Sequence, residues 1–258
     1  ITDKLEINLG IRWDYEDMSA YTDYVLDSKI VAALRGWTNI KNTDYNVEDY
    51  ISNGSNRRSD KNNIAPRIGF SYDLVGDQRH VFFGGIGRSY DRNLFDYMAR
   101  EYYGGAFTTF TINFPDVNHP CTPSATCIPF NPALLTPEGL AAFAAANPVA
   151  GGEVNVLKND LQTPYSDQLS AGMRNLFELW GQEWSSSVTL AHIRSKEGIY
   201  FRLGNRWPDG GFRNPAVPGA TWGNQPWGQA IPGYGSLILG QNGIETRLNS
   251  LLVGLDKL

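Results

Sequence analysis

Residues 4–14 read KLEINLGIRWD, and their alternation decides the fold. Leu5, Ile7, Leu9, Ile11 and Trp13 fall on one side, with Glu6, Asn8, Gly10, Arg12 and Asp14 on the other. Successive side chains of a strand point to opposite faces, so this pattern predicts a strand with one apolar and one polar face.

The same period recurs along the chain. Ile64, Pro66, Ile68, Phe70, Tyr72 and Leu74 alternate with Ala65, Arg67, Gly69, Ser71 and Asp73. Pro66 lacks an N–H and is expected at a bulge or a poorly paired rung. After Gly76-Asp77, a turn signal, a third strand carries Phe82, Ile86 and Tyr90 against Phe83, Gly85, Gly87 and Ser89. A fourth opposes Leu169, Ala171 and Met173 to Ser170, Gly172 and Arg174. A fifth opposes Val188 and Leu190 to Ser187 and Thr189, and a sixth opposes Leu251, Val253 and Leu255 to Ser250, Gly254 and Asp256. The predicted strands lie at about 3–15, 63–75, 80–91, 164–177, 184–202 and 245–258. They form an all-β, six-stranded antiparallel meander in sequence order.

The connections alternate: long at 15–62, short, long at 92–163, short, and long at 204–243. Long outer loops and tight inner turns are the pattern of an outer-membrane barrel, whereas a soluble sandwich spaces its strands more evenly. The long segments read as polar surface loops, such as KNTDYNVEDYISNGSNRRSDKN at 41–62. One short helix is expected, with Thr136 as N-cap, Pro137 at its first position and Asn147-Pro148 as its stop.

Composition narrows the function. There are 22 Lys and Arg against 27 Asp and Glu, which argues against nucleic acid as a partner. Three His and two Cys cannot build a repeated Cys/His zinc site. No GxSxG, HExxH or P-loop occurs, and Gly84-Gly85-Ile86-Gly87 opens no helix. A non-enzyme without cofactor or metal is expected. Six strands cannot close a membrane barrel, and an open sheet edge in lipid is costly. The first strand starts near residue 1 and the last still runs at Leu258, so the expectation is a piece of a longer barrel. The alternative is a complete soluble β domain packing its apolar faces together and binding carbohydrate through loop tryptophans.

The stretches DKLEINLGIRWDYE, NNIAPRIGFSYDLVGD, VFFGGIGRSYDR, LQTPYSDQLSAGMRNLF, WSSSVTLAHIRSKEGIYF and RLNSLLVGLDKL resemble the barrel of TonB-dependent outer-membrane receptors, nearest the Oar-like group with its carboxypeptidase-regulatory-like domain. The resemblance covers the strands and turns, not the loops. It implies a bacterial outer-membrane location, a 22-stranded barrel around a plug, and energy from TonB through an N-terminal part that is absent here. It also implies the lipid bilayer, the plug and further strands as partners, and a bulky ligand of unknown identity. A related barrel could instead serve adhesion.

In that oxidising setting Cys121 and Cys127 are expected to form a disulfide. Tyr97, Tyr102 and Tyr103, within an aromatic run from Phe95 through Phe107 and Phe110 to Phe114, and Trp207, Trp222 and Trp227 in the last loop, are candidates for ligand contact; packing within the loops is the competing role. Arg67 and Arg174, with Glu6, Arg12, Asp14 and Asp73, are expected to face the lumen, pairing with one another or a plug, or lining a ligand route. The acidic segment 44–60 lacks calcium-loop spacing and is expected to be a solvated loop.

Overall fold

A computed structural model describes residues 3–93, 95–105, 112–122, 124, 127–146, 152–219, 221 and 223–258. These contain the strands β1 (Leu5–Asp14), β2 (Asn63–Asp73), β3 (His80–Tyr90), β4 (Val154–Leu157), β5 (Tyr165–Leu179), β6 (Gln182–Leu203) and β7 (Leu237–Lys257). They form one open sheet in the order β1-β2-β3-β5-β6-β7-β4. The six expected strands are all there, paired antiparallel with their sequence neighbours. The sheet nevertheless has seven strands and is not a pure meander. β4, from the second long connection, pairs parallel to the start of β7, Val154 opposite Leu237.

Both short turns follow from their residues. Trp180 and Gly181 have φ of 52° and 67°, the positive values that a two-residue hairpin between paired Leu179 and Gln182 requires. At the other turn, the Asp73 carboxylate accepts from the backbone N–H groups of Gly76 at 2.9 Å and Gln78 at 2.8 Å. Asp73 thus holds the turn while standing on the inward face, where it lines the same cavity as Arg174. Pro66 produces no bulge: it pairs in register opposite Ile11, and the ladder from β2 to β3 ends one residue away at Arg67. A shift in register does occur in β6, between Ser195 and Ile199, where Glu197 has φ 59°.

The long connections are folded, which the polar sequence of 41–62 did not suggest. Among the described residues they contain four α-helices instead of one: α1 (Ser19–Thr22), α2 (Ser28–Gly36), α3 (Phe95–Tyr103) and α4 (Pro137–Ala146). α4 is the expected one, and Thr136 Oγ1 accepts from the N–H of Gly139 at 3.1 Å; its expected stop at Asn147-Pro148 lies outside the described residues. α2 begins where Asp27 accepts from the N–H of Lys29, and it buries Ile30 and Leu34 on one face. The hydrophobic core sits almost wholly in this cap. Tyr24, Leu26, Trp37, Ile40, Tyr50 and Ile51 of the first connection pack with Val154 and Val156 of β4, Ile231, and Leu237 and Leu239 of β7. β4 belongs to this core and is buried at all four residues. The segment 44–60 is thus partly interior and not simply solvated.

Candidate functional site: a two-faced wall and its loop cap

The register places every predicted apolar strand residue on one face. The rung through Leu9 runs through Ile68, Ile86 and Leu169, and Met173 stands between Phe82 and Val188. Among the described residues no second layer covers this face: Leu9 is 75% exposed, Ile11 78% and Val253 71%. A soluble sandwich would bury these side chains at a gain of roughly 1.5–3 kcal/mol each; an exposed patch of this extent marks a surface made for another apolar phase.

The band is also tilted. On β1 it centres on Leu9 and on β7 on Val253, but the rung through Leu9 ends on β7 at Asn249, two side-chain positions away on the same face. That is a slide of about 13 Å over about 24 Å of sheet width, at the usual strand spacings, or about 30°. From Leu5 to Trp13 the band runs about 27 Å along the strand, or about 23 Å normal to the bilayer at that tilt. Transmembrane barrels have strands tilted by about 35–45° and an apolar band of about 25 Å.

The opposite face is mostly small and polar, with Val81, Phe83, Ile193, Leu248 and Leu252 as its larger apolar residues. Gly69, Gly85, Ser170, Gly172, Ser187, Thr189, Ser250 and Gly254 line it in register. Gly172 has a packing reason: a Cβ there would lie 2.7 Å from the ring of Phe83, its cross-strand partner. Arg67 and Arg174 are both on this face, but the rung of Arg67 meets β5 at Gln168, six residues from Arg174 and about 20 Å along the strand. Arg174 lines an open cavity of about 710 Å³ near the turn end, together with Lys4, Glu6, Ser71, Ser187 and Thr189. Arg12 pairs with Asp14 at 2.8 Å.

The aromatic candidates stand at the loop end. Tyr97 is spent on packing, its ring 5.1 Å from Phe201. Tyr102 leans on Tyr24 at 4.8 Å and adjoins Tyr103; both stay exposed on the cap. Trp227 is exposed, whereas the Trp207 indole N–H is buried with no hydrogen-bond partner among the described residues. Trp222, Phe107 and Phe110 lie outside the described residues. Cys121 and Cys127 are joined by a disulfide with Cα atoms 6.0 Å apart.

Two charged constellations of the cap carry no sequence signal. The guanidinium of Arg57 donates to both carboxylate oxygens of Glu101, at 2.6 and 2.7 Å, and to the carbonyl of Leu157 at 2.6 Å. Glu101 also accepts from the N–H of Leu157, and the ring of Tyr21 lies 4.6 Å from the guanidinium. Both side chains of the pair are fully buried. It therefore ties the first long connection to the second and to β4. Burial pushes the Tyr21 hydroxyl up to about 12, against the opposing pull of the Leu161 N–H. In the second constellation Asp44 bridges Arg202 at 2.8 Å and Arg206 at 2.7 Å, beside an open cavity of about 670 Å³ lined by Arg35, Lys41, Asp44, Tyr45 and Glu48. Burial raises the Asp44 carboxyl, but the two arginines outweigh it and hold it below the usual carboxylate range.

An uncovered apolar band that reaches bilayer height on β1, a mostly polar inner face and folded loops at one end define a wall segment of a membrane-spanning β-barrel. The family model described as "Outer membrane beta barrel domain" matches residues 1–257, and the chain belongs to that family. Its place is the bacterial outer membrane. No curated protein matches the chain. Among solved structures, the hemophore receptor HasR of Serratia marcescens, a double mutant in complex with its hemophore HasA and heme, is similar at 12% identity and a TM-score of 0.36. The match covers 75% of this chain and 20% of HasR, so the chain spans about one fifth of that receptor.

Proposed function

We propose that the chain is part of the barrel wall of a TonB-dependent receptor of the Oar-like kind, which binds a bulky ligand at its loop cap and imports it. The reading includes a plug and further barrel strands seated against this segment, and TonB engaged through an N-terminal part. It includes no catalysis. The observation that carries it is the inner face. Gly69, Gly85 and Gly254 stand there among serines, with Arg67 and Arg174 on the same face, so much of the wall is shallow and polar and leaves room for a body inside it, although Phe83, Leu248 and Leu252 also share this face. A narrow barrel filled by its own side chains would carry bulky residues at those positions.

The test is genetic and physiological. Cells lacking the parent gene and cells lacking TonB should share a growth defect on the same limiting nutrient source. A defect in surface attachment without any TonB-dependent growth phenotype would turn the reading to an adhesive barrel.

A further inference from the structure

Above the apolar band, on the lipid-facing side, the register sets four charged side chains in one rung: Arg88 on β3, Asp167 on β5, Arg194 on β6 and Arg247 on β7. Arg88 grips Asp167 with two hydrogen bonds, at 2.7 and 3.0 Å, and its guanidinium lies 4.2 Å from the ring centre of Tyr165. Glu245 accepts from Arg194 at 2.9 and 3.0 Å and from Arg247 at 2.9 Å. Lys196 stands next on the same face, opposite Tyr165. Four cations thus face two carboxylates. One carboxylate serves two arginines, so each guanidinium keeps donors to spare, and the Arg247 side chain is 64% exposed.

Charge at the margin of a hydrocarbon phase is costly unless it is paired. The surplus here is positive, sits on the outward face and lies on the side of the long loops, which in such barrels is the outer leaflet. Guanidinium groups held in a row match phosphate oxygens in geometry as well as charge. We propose that this row is a docking surface for the phosphate groups of outer-leaflet lipids, which complete the pairing that Asp167 and Glu245 leave unfinished. The ligand class is an anionic phosphate-bearing lipid, held with its chains along the apolar band below.

The test uses the full-length outer-membrane chain, purified in neutral detergent and titrated with phosphatidylglycerol or phosphatidylcholine under native mass spectrometry. Phosphatidylglycerol should be retained about fivefold or more over phosphatidylcholine. Arg247→Gln should lose most of that preference, while Arg67→Gln, the same change of charge on the inner face, should keep it. Glu245→Gln should increase retention, because it frees two arginines. Equal losses for Arg247→Gln and Arg67→Gln would overturn the proposal in favour of net charge alone. Loss with Glu245→Gln would reduce the row to an ion-pair staple. Complete displacement of the lipid by inorganic phosphate would make it a free-anion site and would also overturn the lipid assignment. Heat-modifiable mobility on gels checks that each variant is folded; Arg247→Gln leaves the Arg194–Glu245 pair in place.

Discussion

Replacing Glu101 by Gln should open the loop cap without touching the wall. The carboxylate accepts two hydrogen bonds from Arg57 and one from the N–H of Leu157, and neither charged side chain reaches solvent. Glutamine keeps the shape and one acceptor but leaves the guanidinium buried without its counter-charge. Breaking a buried pair from one side costs about 3–5 kcal/mol. A factor of ten accompanies each 1.4 kcal/mol, so the cap should open roughly 100 to 4,000 times more often. Hydrogen exchange read by mass spectrometry should show this at the Leu157 amide, which donates to Glu101, and at its neighbour Lys158, with little change at Gly85 or Leu190 in the wall. The double variant Arg57→Met/Glu101→Leu removes both charges and should recover much of the loss. Unchanged exchange in the cap of Glu101→Gln, or equal acceleration in cap and wall, would refute the assignment of this pair as the fastener between the connections.

Tyr21 gives the cap a pH limit. Its folded value is raised to about 12 from 10.0, so the folded cap favours the neutral phenol. That contribution is full below pH 10 and is lost as pH rises through about 12, so spectroscopic titration of tyrosinate should show a late step that coincides with cap exchange. Gly172→Val should destabilise the wall by about 1–3 kcal/mol, because Phe83 occupies the space a side chain would need; denaturant-induced unfolding in vesicles measures it. Reducing Cys121–Cys127 encloses so short a loop that the wall should lose about 2 kcal/mol or less, again by unfolding in vesicles with and without reductant.

The wall was legible in the sequence because a two-faced strand writes its environment at every second residue. Leu5 to Trp13 and Leu251 to Leu255 could be assigned before any register was known. β4 was not legible, since Val154-Asn155-Val156-Leu157 is short, buried throughout and shows no period. The upper part of β7 was missed because Gly240-Gln241-Asn242-Gly243 breaks the alternation, and the structure accommodates that break opposite the irregularity at Gly198. α3 reads as a run of aromatics, and only the structure separates packed Tyr97 from exposed Tyr102 and Tyr103. The Arg57–Glu101 pair joins residues 44 apart, one in a segment that looks like a solvated loop and the other in an aromatic run, so nothing local announced it. The charged rung of Arg88, Asp167, Arg194 and Arg247 needed three strand registers at once.

The central claim is that one face of this sheet meets lipid and the other a polar interior. Spin labels placed one at a time at residues 250–255 of β7, in a variant with both native cysteines replaced and the full-length protein in vesicles, test it most directly. Labels at 251, 253 and 255 should collide with oxygen dissolved in the bilayer and be shielded from a water-soluble nickel chelate, while 250, 252 and 254 should show the reverse. A profile without a two-residue period, or with its phase inverted, would contradict the account.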